Sequence, residues 1–245
     1  MALVTSSLEN DVLELVFNDP KSRNSLSLAA ATEIEIALET AMKTKQKFGV
    51  VIFNAPGRVF CSGGQLDDYA GMKDASEGIA VNDRIRAILD HLSRLQVPTI
   101  CVVTGDCFGG GIELVSAFDF VLATPNVLLG FWQRKIGLSF GWGGGQRLLK
   151  RVSAAKLKAF TLSTRLIGAS EAQAEGLIDE VVHAAKIRQR SLALAKELMK
   201  APKAAAAALK NFSPEKEVET FNTLWWNEEH RAVLNSRPAK PIKKS

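Results

Sequence analysis

Two short segments constrain this chain most: GVVIF at 49–53 and PTICVVT at 98–104 are apolar with almost no alternation. A strand with one wet face alternates apolar and polar residues. An unbroken run marks a strand covered on both faces, as in a sheet with helices on either side. Asn54-Ala55-Pro56-Gly57 ends the first run, and Pro98 opens the second. Helical periods surround them. Ser27 caps a helix reaching about Lys45, with Ile34, Leu38, Ala41 and Met42 on one face, and another helix covers about 78–95. Residues 8–17 read as one strand, closed by Asn18-Asp19-Pro20. Further strands fall on 118–124, 127–131 and 177–182. Helices are expected near 143–162 and 170–176, the latter with Gly176 as its C-cap, and then over 186–200, 202–211 and 214–235. Five alanines at 204–208 reinforce the late helices, and 236–245 reads as a loose tail. Strands alternate with helices early and helices accumulate late. The expectation is an α/β core over residues 1–185 and a helical region over 186–245.

A chain of 245 residues, 47% of them apolar, has room for one large domain, or one domain plus a small appendage, with a sizeable core. The net charge of +5 is spread along the chain, and the nearest approach to a basic cluster is Lys240, Lys243 and Lys244. That balance suits an anionic small molecule as well as nucleic acid. Cys61, Cys101 and Cys107 show no paired spacing. They read as small buried thiols of a reducing, cytoplasmic compartment. The N-terminal stretch carries Glu9 and Asp11 and reads as a strand, not a targeting peptide; no segment reads as a membrane span. His91, His183 and His230 are isolated, so no metal site is expected.

Two loops carry the chemistry. CSGGQ at 61–65 and GDCFGGG at 105–111 each follow a strand, contain adjacent glycines and precede a helix. Amides of a first helical turn have no partner within the helix, and the helix dipole favours negative charge there. Glycine also lets a ligand approach the backbone closely. Either loop alone is compatible with a tight turn. Together they are suited to aiming two N–H groups at one oxygen, an oxyanion hole. Neither matches a dinucleotide or P-loop signature.

Four blocks occur in order: VFCSGGQLDD, GDCFGGGIEL with SAFDFVLAT, FWQRKIGLSFGWGGGQRLL, and RLIGASEAQAEGLIDEVV. Together they resemble the enoyl-CoA hydratase/isomerase (crotonase) superfamily over about residues 8–200. The resemblance implies a spiral of ββα units, with C-terminal helices that assemble a homotrimer or a dimer of trimers. It implies an acyl-CoA or carrier-bound thioester as partner, coenzyme A arriving as part of the substrate and no separate cofactor. It places the oxyanion donors on Gly64 and Gly110 and an acid/base on Glu113, whose other reading is a salt bridge. Lys21, Arg23, Ser62, Gly63, Leu66 and Gly109 fall on the thioester- and coenzyme-binding side. Lys21 and Arg23 read equally well as a solvated turn. Trp132, Phe140 and Trp142 read as acyl-pocket walls or as core residues, and Trp225 and Trp226 as core or subunit interface.

One departure matters. Many hydratases of the superfamily carry a Pro-Glu pair where this chain has Trp132-Gln133, and no acid lies between Asp119 and Glu171. Hydration needs a base for water and a proton for the α-carbon, and glutamine does not shuttle protons near neutral pH. The reading therefore leans to decarboxylation of a malonyl-type thioester or other single-carboxylate chemistry, with Gln133 orienting a carboxylate or a water. Hydratase and double-bond isomerase remain as alternatives. The GWGG stretch at 141–144 is similar to that of superfamily decarboxylases. A second departure puts Gln65 where aspartate is common. Two rivals come from other classes. GLSFG at 137–141 matches a nucleophile elbow at Ser139, with Asp179 and His183 as partners. Lys196, Lys200, Lys203 and Lys210 offer a face for RNA.

Overall fold

The computed structural model describes residues 2–44 and 47–236. The tail read as loose, with its three lysines, lies outside these apart from Ser236. The strands are β1 (Val4–Glu9), β2 (Val12–Phe17), β3 (Val50–Asn54), β4 (Val59–Cys61), β5 (Thr99–Val103), β6 (Asp106–Phe108), β7 (Phe120–Ala123), β8 (Leu128–Gly130), β9 (Leu166–Gly168) and β10 (Glu180–Val181). They form two sheets, ordered β1-β2-β3-β5-β7-β10 and β4-β6-β8-β9. From β3 to β8, successive strands are dealt alternately to the large and the small sheet. β3, β5 and β7 run parallel in one, and β4, β6 and β8 run parallel in the other. A helical segment follows each pair, so the spiral of ββα units is present.

The unbroken apolar runs now have a cause. Val51, Phe53, Cys101, Val103, Val121 and Ala123 face the main core. Their strand neighbours Val50, Ile52, Ile100, Val102 and Leu122 face the opposite side, where Ile187, Leu194 and Ala195 cover them.

The helices are α1 (Leu28–Lys43), α2 (Leu66–Ala70), α3 (Ala75–Ser93), α4 (Gly110–Val115), α5 (Gly144–Leu148), α6 (Ala154–Ser163), α7 (Ala169–Ala174), α8 (Ala184–Leu198), α9 (Lys203–Lys210), α10 (Glu217–Leu224) and α11 (Glu228–Ser236). Ser27 caps α1 by accepting from Ala30 N at 3.1 Å, as expected. Met42 points away from the α1 core face and is exposed. Gly176, at φ +85°, lies just past α7. The expected boundary between residues 185 and 186 falls in the first turn of α8, which packs on the large sheet.

Several expectations are corrected. Residues 8–17 belong to a hairpin: Asn10 and Asp11 take φ of 51° and 62°, the two-residue turn whose twist suits antiparallel strands, and Glu9 pairs Val12. α3 begins before Gly78, because Asp74 accepts from Ser76 N and Glu77 N. The helix expected over 143–162 is two helices, broken where Ser153 starts α6 with an N-cap. The long final helix is α10 and α11, separated at Trp225 and Trp226, the latter at φ 68°. These two tryptophans are 56% and 60% exposed, so they do not pack the core.

Candidate active site

β4 and β6 are parallel neighbours in the small sheet, so the loops leaving their C-terminal ends emerge side by side. Gly63, at φ +108°, turns the first loop, and its carbonyl accepts from Leu26 N at 2.7 Å. Gly109, at φ +52°, turns the second and precedes α4. A Cβ on Gly63 would lie 3.4 Å from Gly110 N and 3.2 Å from Phe108 O, so the missing side chain is what lets the loops touch. Gly64 N and Gly110 N donate to no protein acceptor among the described residues. One tryptophan ring borders both glycines. Trp142 Cη2 lies 3.3 Å from a Cβ built on Gly64 and 2.7 Å from one built on Gly110. Two adjacent, unpartnered amides thus sit beside one cavity of about 790 Å³ that both line. The geometry suits a single anionic acceptor.

Glu113 lies one turn into α4 and is 2% exposed. It makes no salt bridge among the described residues; backbone amides hold it instead. Trp142 N donates to Oε2 at 2.8 Å and Gly144 N at 3.0 Å, while Gly141 N reaches Oε1 at 3.3 Å. These donors belong to the GWGG segment at the start of α5, where unpartnered helical amides accumulate. A Cβ on Gly144 would lie 2.4 Å from Glu113 Cγ, so only glycine allows this approach. The carboxylate therefore needs no cation to be satisfied. Its remaining neighbour is Gln133 Nε2, 3.4 Å from Oε1. That contact sets the amide orientation, since the reverse would oppose two oxygens. Gln133 Oε1 is then buried without a partner, as is Trp132 Nε1.

The cavity brings together most of the expected residues. Arg23, Ser62, Gly63, Gly64, Gly109, Gly110, Glu113, Trp132, Gln133 and Trp142 line it, with Leu66. Lys21 lines an adjoining polar cavity of about 550 Å³ that shares Arg23, Ser62, Gly64 and Leu66 with the first. Trp132 stacks on Phe108 with centroids 4.1 Å apart, and Lys135 Nζ sits 4.0 Å above the indole. Phe140 does not join them. It packs edge-on against Phe131 at 6.3 Å and beneath Gly145, so it belongs to the core flank of the site. Gln65 meets the Ser25 hydroxyl, which ties the first loop to residues before α1.

Two supports had no sequence signal that singled them out. Arg147 donates to Asp90 Oδ1 at 2.6 Å, Ser116 Oγ at 3.1 Å, Trp142 O at 2.7 Å and Glu113 O at 3.2 Å. It joins α3, α4 and the GWGG segment, and burial lowers its pKa against the pull of Asp90 and Glu113. Asn82 accepts from Trp142 Nε1 at 2.6 Å and from the Tyr69 hydroxyl at 3.0 Å. Burial raises the Tyr69 pKa, so the phenol is neutral at ordinary pH.

The rivals meet obstacles. Ser139 lies in an exposed segment with neither a strand before it nor a helix directly after it. Asp179 is engaged by Val121 N and Arg151, and His183 caps α8. Lys210, offered for RNA, is 6% exposed and pairs with Asp119 at 2.8 Å, pinning α9 to the sheet. All three cysteines are buried, and burial pushes the Cys61 thiol up to about 12. Among the described residues no cluster of metal-ligating side chains occurs.

The two-sheet spiral thus carries one cavity lined by two unpartnered glycine amides and a buried carboxylate. A sequence model described as enoyl-CoA hydratase/isomerase matches residues 7–225. The chain belongs to that family. It is 33% identical over 173 residues to a mitochondrial methylglutaconyl-CoA hydratase of Rattus norvegicus, covering 70% of this chain and 54% of the relative. It thus spans about half the length of that curated relative. Among solved structures it resembles an enoyl-CoA hydratase from Thermoplasma volcanium at TM-score 0.86, with 23% identity and 97% and 98% of the two chains covered. A protein from Thermobifida fusca, described as a putative enoyl-CoA hydratase in complex with acetoacetyl-CoA, superposes at TM-score 0.80, with 23% identity and 96% of each chain covered.

Proposed function

We propose that this protein hydrates an enoyl-CoA thioester, with Gly64 N and Gly110 N holding the thioester oxygen and Glu113 as its acid/base. The carrying observation is the pair of acceptors at the inner end of the cavity. Glu113 Oε1 and the unpartnered Gln133 Oε1 belong to side chains in contact. Water has two protons to give, and a molecule between these oxygens gives one to each. A malonyl-type carboxylate has none and would face the Glu113 charge. Among the described lining residues the cationic one is Arg23, on the side shared with the polar cavity. The similarity to proteins named hydratases supports water addition over the decarboxylation first expected.

The absence of a second acid sets the mechanism. Water attacks the β-carbon as Glu113 takes one of its protons, and the π electrons move onto the thioester oxygen between the two amides. The enolate then takes that same proton from Glu113 at the α-carbon. The elements of one water molecule are added, and Glu113 returns to its starting state. Gln133 positions the water without titrating. Lys21, Arg23, Ser62 and Leu66 flank the polar end, which suits the coenzyme. The exposed apolar side chains of α9 to α11 and their connections, among them Phe212, Phe221, Trp225 and Trp226, favour assembly into a homotrimer or dimer of trimers.

The test is a panel of crotonyl-, 3-enoyl- and methylmalonyl-CoA, run with wild type and Glu113→Gln. Loss of the conjugated-enoyl absorbance, with solvent oxygen incorporated at the β-carbon, is the expected result. Release of CO2 from methylmalonyl-CoA without hydration of crotonyl-CoA overturns the proposal in favour of decarboxylation. Conversion of the 3-enoyl substrate alone overturns it in favour of isomerisation.

A further inference from the structure

The cavity has two unlike ends. Lys21, Ser22, Arg23 and Ser62 border the polar one. The larger cavity is lined, besides the amides, by three large aliphatic side chains from three separate segments. Ile79 comes from α3, Ile136 from the turn after Trp132, and Leu138 from the segment leading to GWGG. They are 60%, 52% and 62% exposed. Scattered exposed aliphatics are ordinary on a soluble protein; three that line one cavity are not scatter.

The polar atoms of Asn82, Tyr69 and the Trp142 indole are already engaged. Asn82 Oδ1 accepts from Tyr69 and Trp142, and Asn82 Nδ2 donates to Gly78 O at 2.7 Å. Tyr69 and Trp142 therefore present mainly ring surface to the cavity, and Gly78 presents no side chain. A short acyl group on the Gly64–Gly110 amides would leave Ile79, Ile136 and Leu138 wet. A longer aliphatic chain continuing outward from the same carbonyl covers them.

We infer that the acyl group is a medium or long aliphatic chain, running from the glycine amides past Trp142 and out between Ile79, Ile136 and Leu138. This rests on the acyl-CoA reading of the site but not on which reaction follows. The occupant is the substrate's own chain, because the aliphatic mouth is continuous with the cavity that holds the amides.

The test measures binding, so it does not depend on turnover. Saturated acyl-CoAs from butyryl to palmitoyl are titrated by calorimetry against wild type, Ile79→Asp and Leu138→Asp. Wild-type affinity should rise about twofold to fourfold per methylene until the chain clears the mouth. Each aspartate should flatten that rise, with circular dichroism confirming that the variant is folded. Affinity independent of chain length, or highest for butyryl-CoA, overturns the inference. So does an aspartate variant that changes subunit stoichiometry but keeps the wild-type length dependence, since the mouth would then be covered by a second copy. A protein that binds longer chains more tightly yet hydrates no enoyl-CoA refutes the reaction and leaves this inference standing. Hydration with flat binding does the reverse.

Discussion

Glu113→Gln is the obvious probe of the acid/base, and the structure predicts that it also weakens the fold. The two short bonds, from Trp142 N at 2.8 Å and Gly144 N at 3.0 Å, both end on Oε2. A glutamine keeps one oxygen, which takes that place. The bonds then change from charge-assisted to neutral, a loss of about 1 kcal/mol each. The new NH2 falls where Oε1 stood, facing Gly141 N and the Gln133 amide. Gln133 can turn over and accept from it, but Gly141 N loses its acceptor. The sum is about 2–3 kcal/mol, or roughly 4–12 °C in Tm for a chain of this size. Hydration should fall by about 10² to 10⁴ through loss of the base. Differential scanning calorimetry beside steady-state hydration separates the two effects. A variant that melts with wild type would refute the amide cradle, and one that hydrates at the wild-type rate would refute the base.

Gln133→Glu should supply the missing acid and raise hydration by about tenfold or more, with a new ionisation in the kcat–pH profile, since two adjacent carboxylates resist double ionisation. An unchanged profile counts against the placement of Gln133. Gly110→Ala should displace Trp142, because its Cβ would stand 2.3 Å from Trp142 Cζ3, whereas Gly64→Ala meets the same ring at 3.3 Å. Near-ultraviolet circular dichroism should change for the first and much less for the second. Cys61 is raised from 9.0 to about 12 in the folded protein, so the stability it contributes is intact below pH 9 and is lost as pH climbs towards 12. Chemical denaturation at several alkaline pH values should show the decline, and Cys61→Ser should lessen it. Lys210→Ala leaves Asp119 with Thr99 alone and should cost about 2–3 kcal/mol, measured as a shift in urea midpoint.

The reach of sequence reasoning followed the range of the interactions. The buried strands were legible because double coverage leaves a local trace, an unbroken apolar run. Gly64, Gly110 and Glu113 could be placed at one cavity because the motifs of the family resemblance that carry them are short and contiguous. The hairpin was missed because Asn10-Asp11 uses positive φ without a glycine to announce it. Phe140 was misplaced because an aromatic next to a pocket segment reads alike whether it faces the cavity or, as here, Phe131. Arg147 and Asn82 act across 57 and 60 residues of chain, on Asp90 and Trp142, and no local pattern records that.

Trp142 carries a consequence for how this site can diversify. Its amide holds Glu113, its indole is tied to Asn82, and its ring borders both glycines. A substitution there keeps the amide but removes the ring that borders both glycines and the bond to Asn82. Position 133 stands apart on its own short turn and touches the centre through a single long contact. On the proposed reading, the oxygen seat is thus tied to one ring, while the side chain that holds the water hangs from a replaceable bracket. New reactions on this scaffold have a cheap route through residue 133 and a closed one through residue 142.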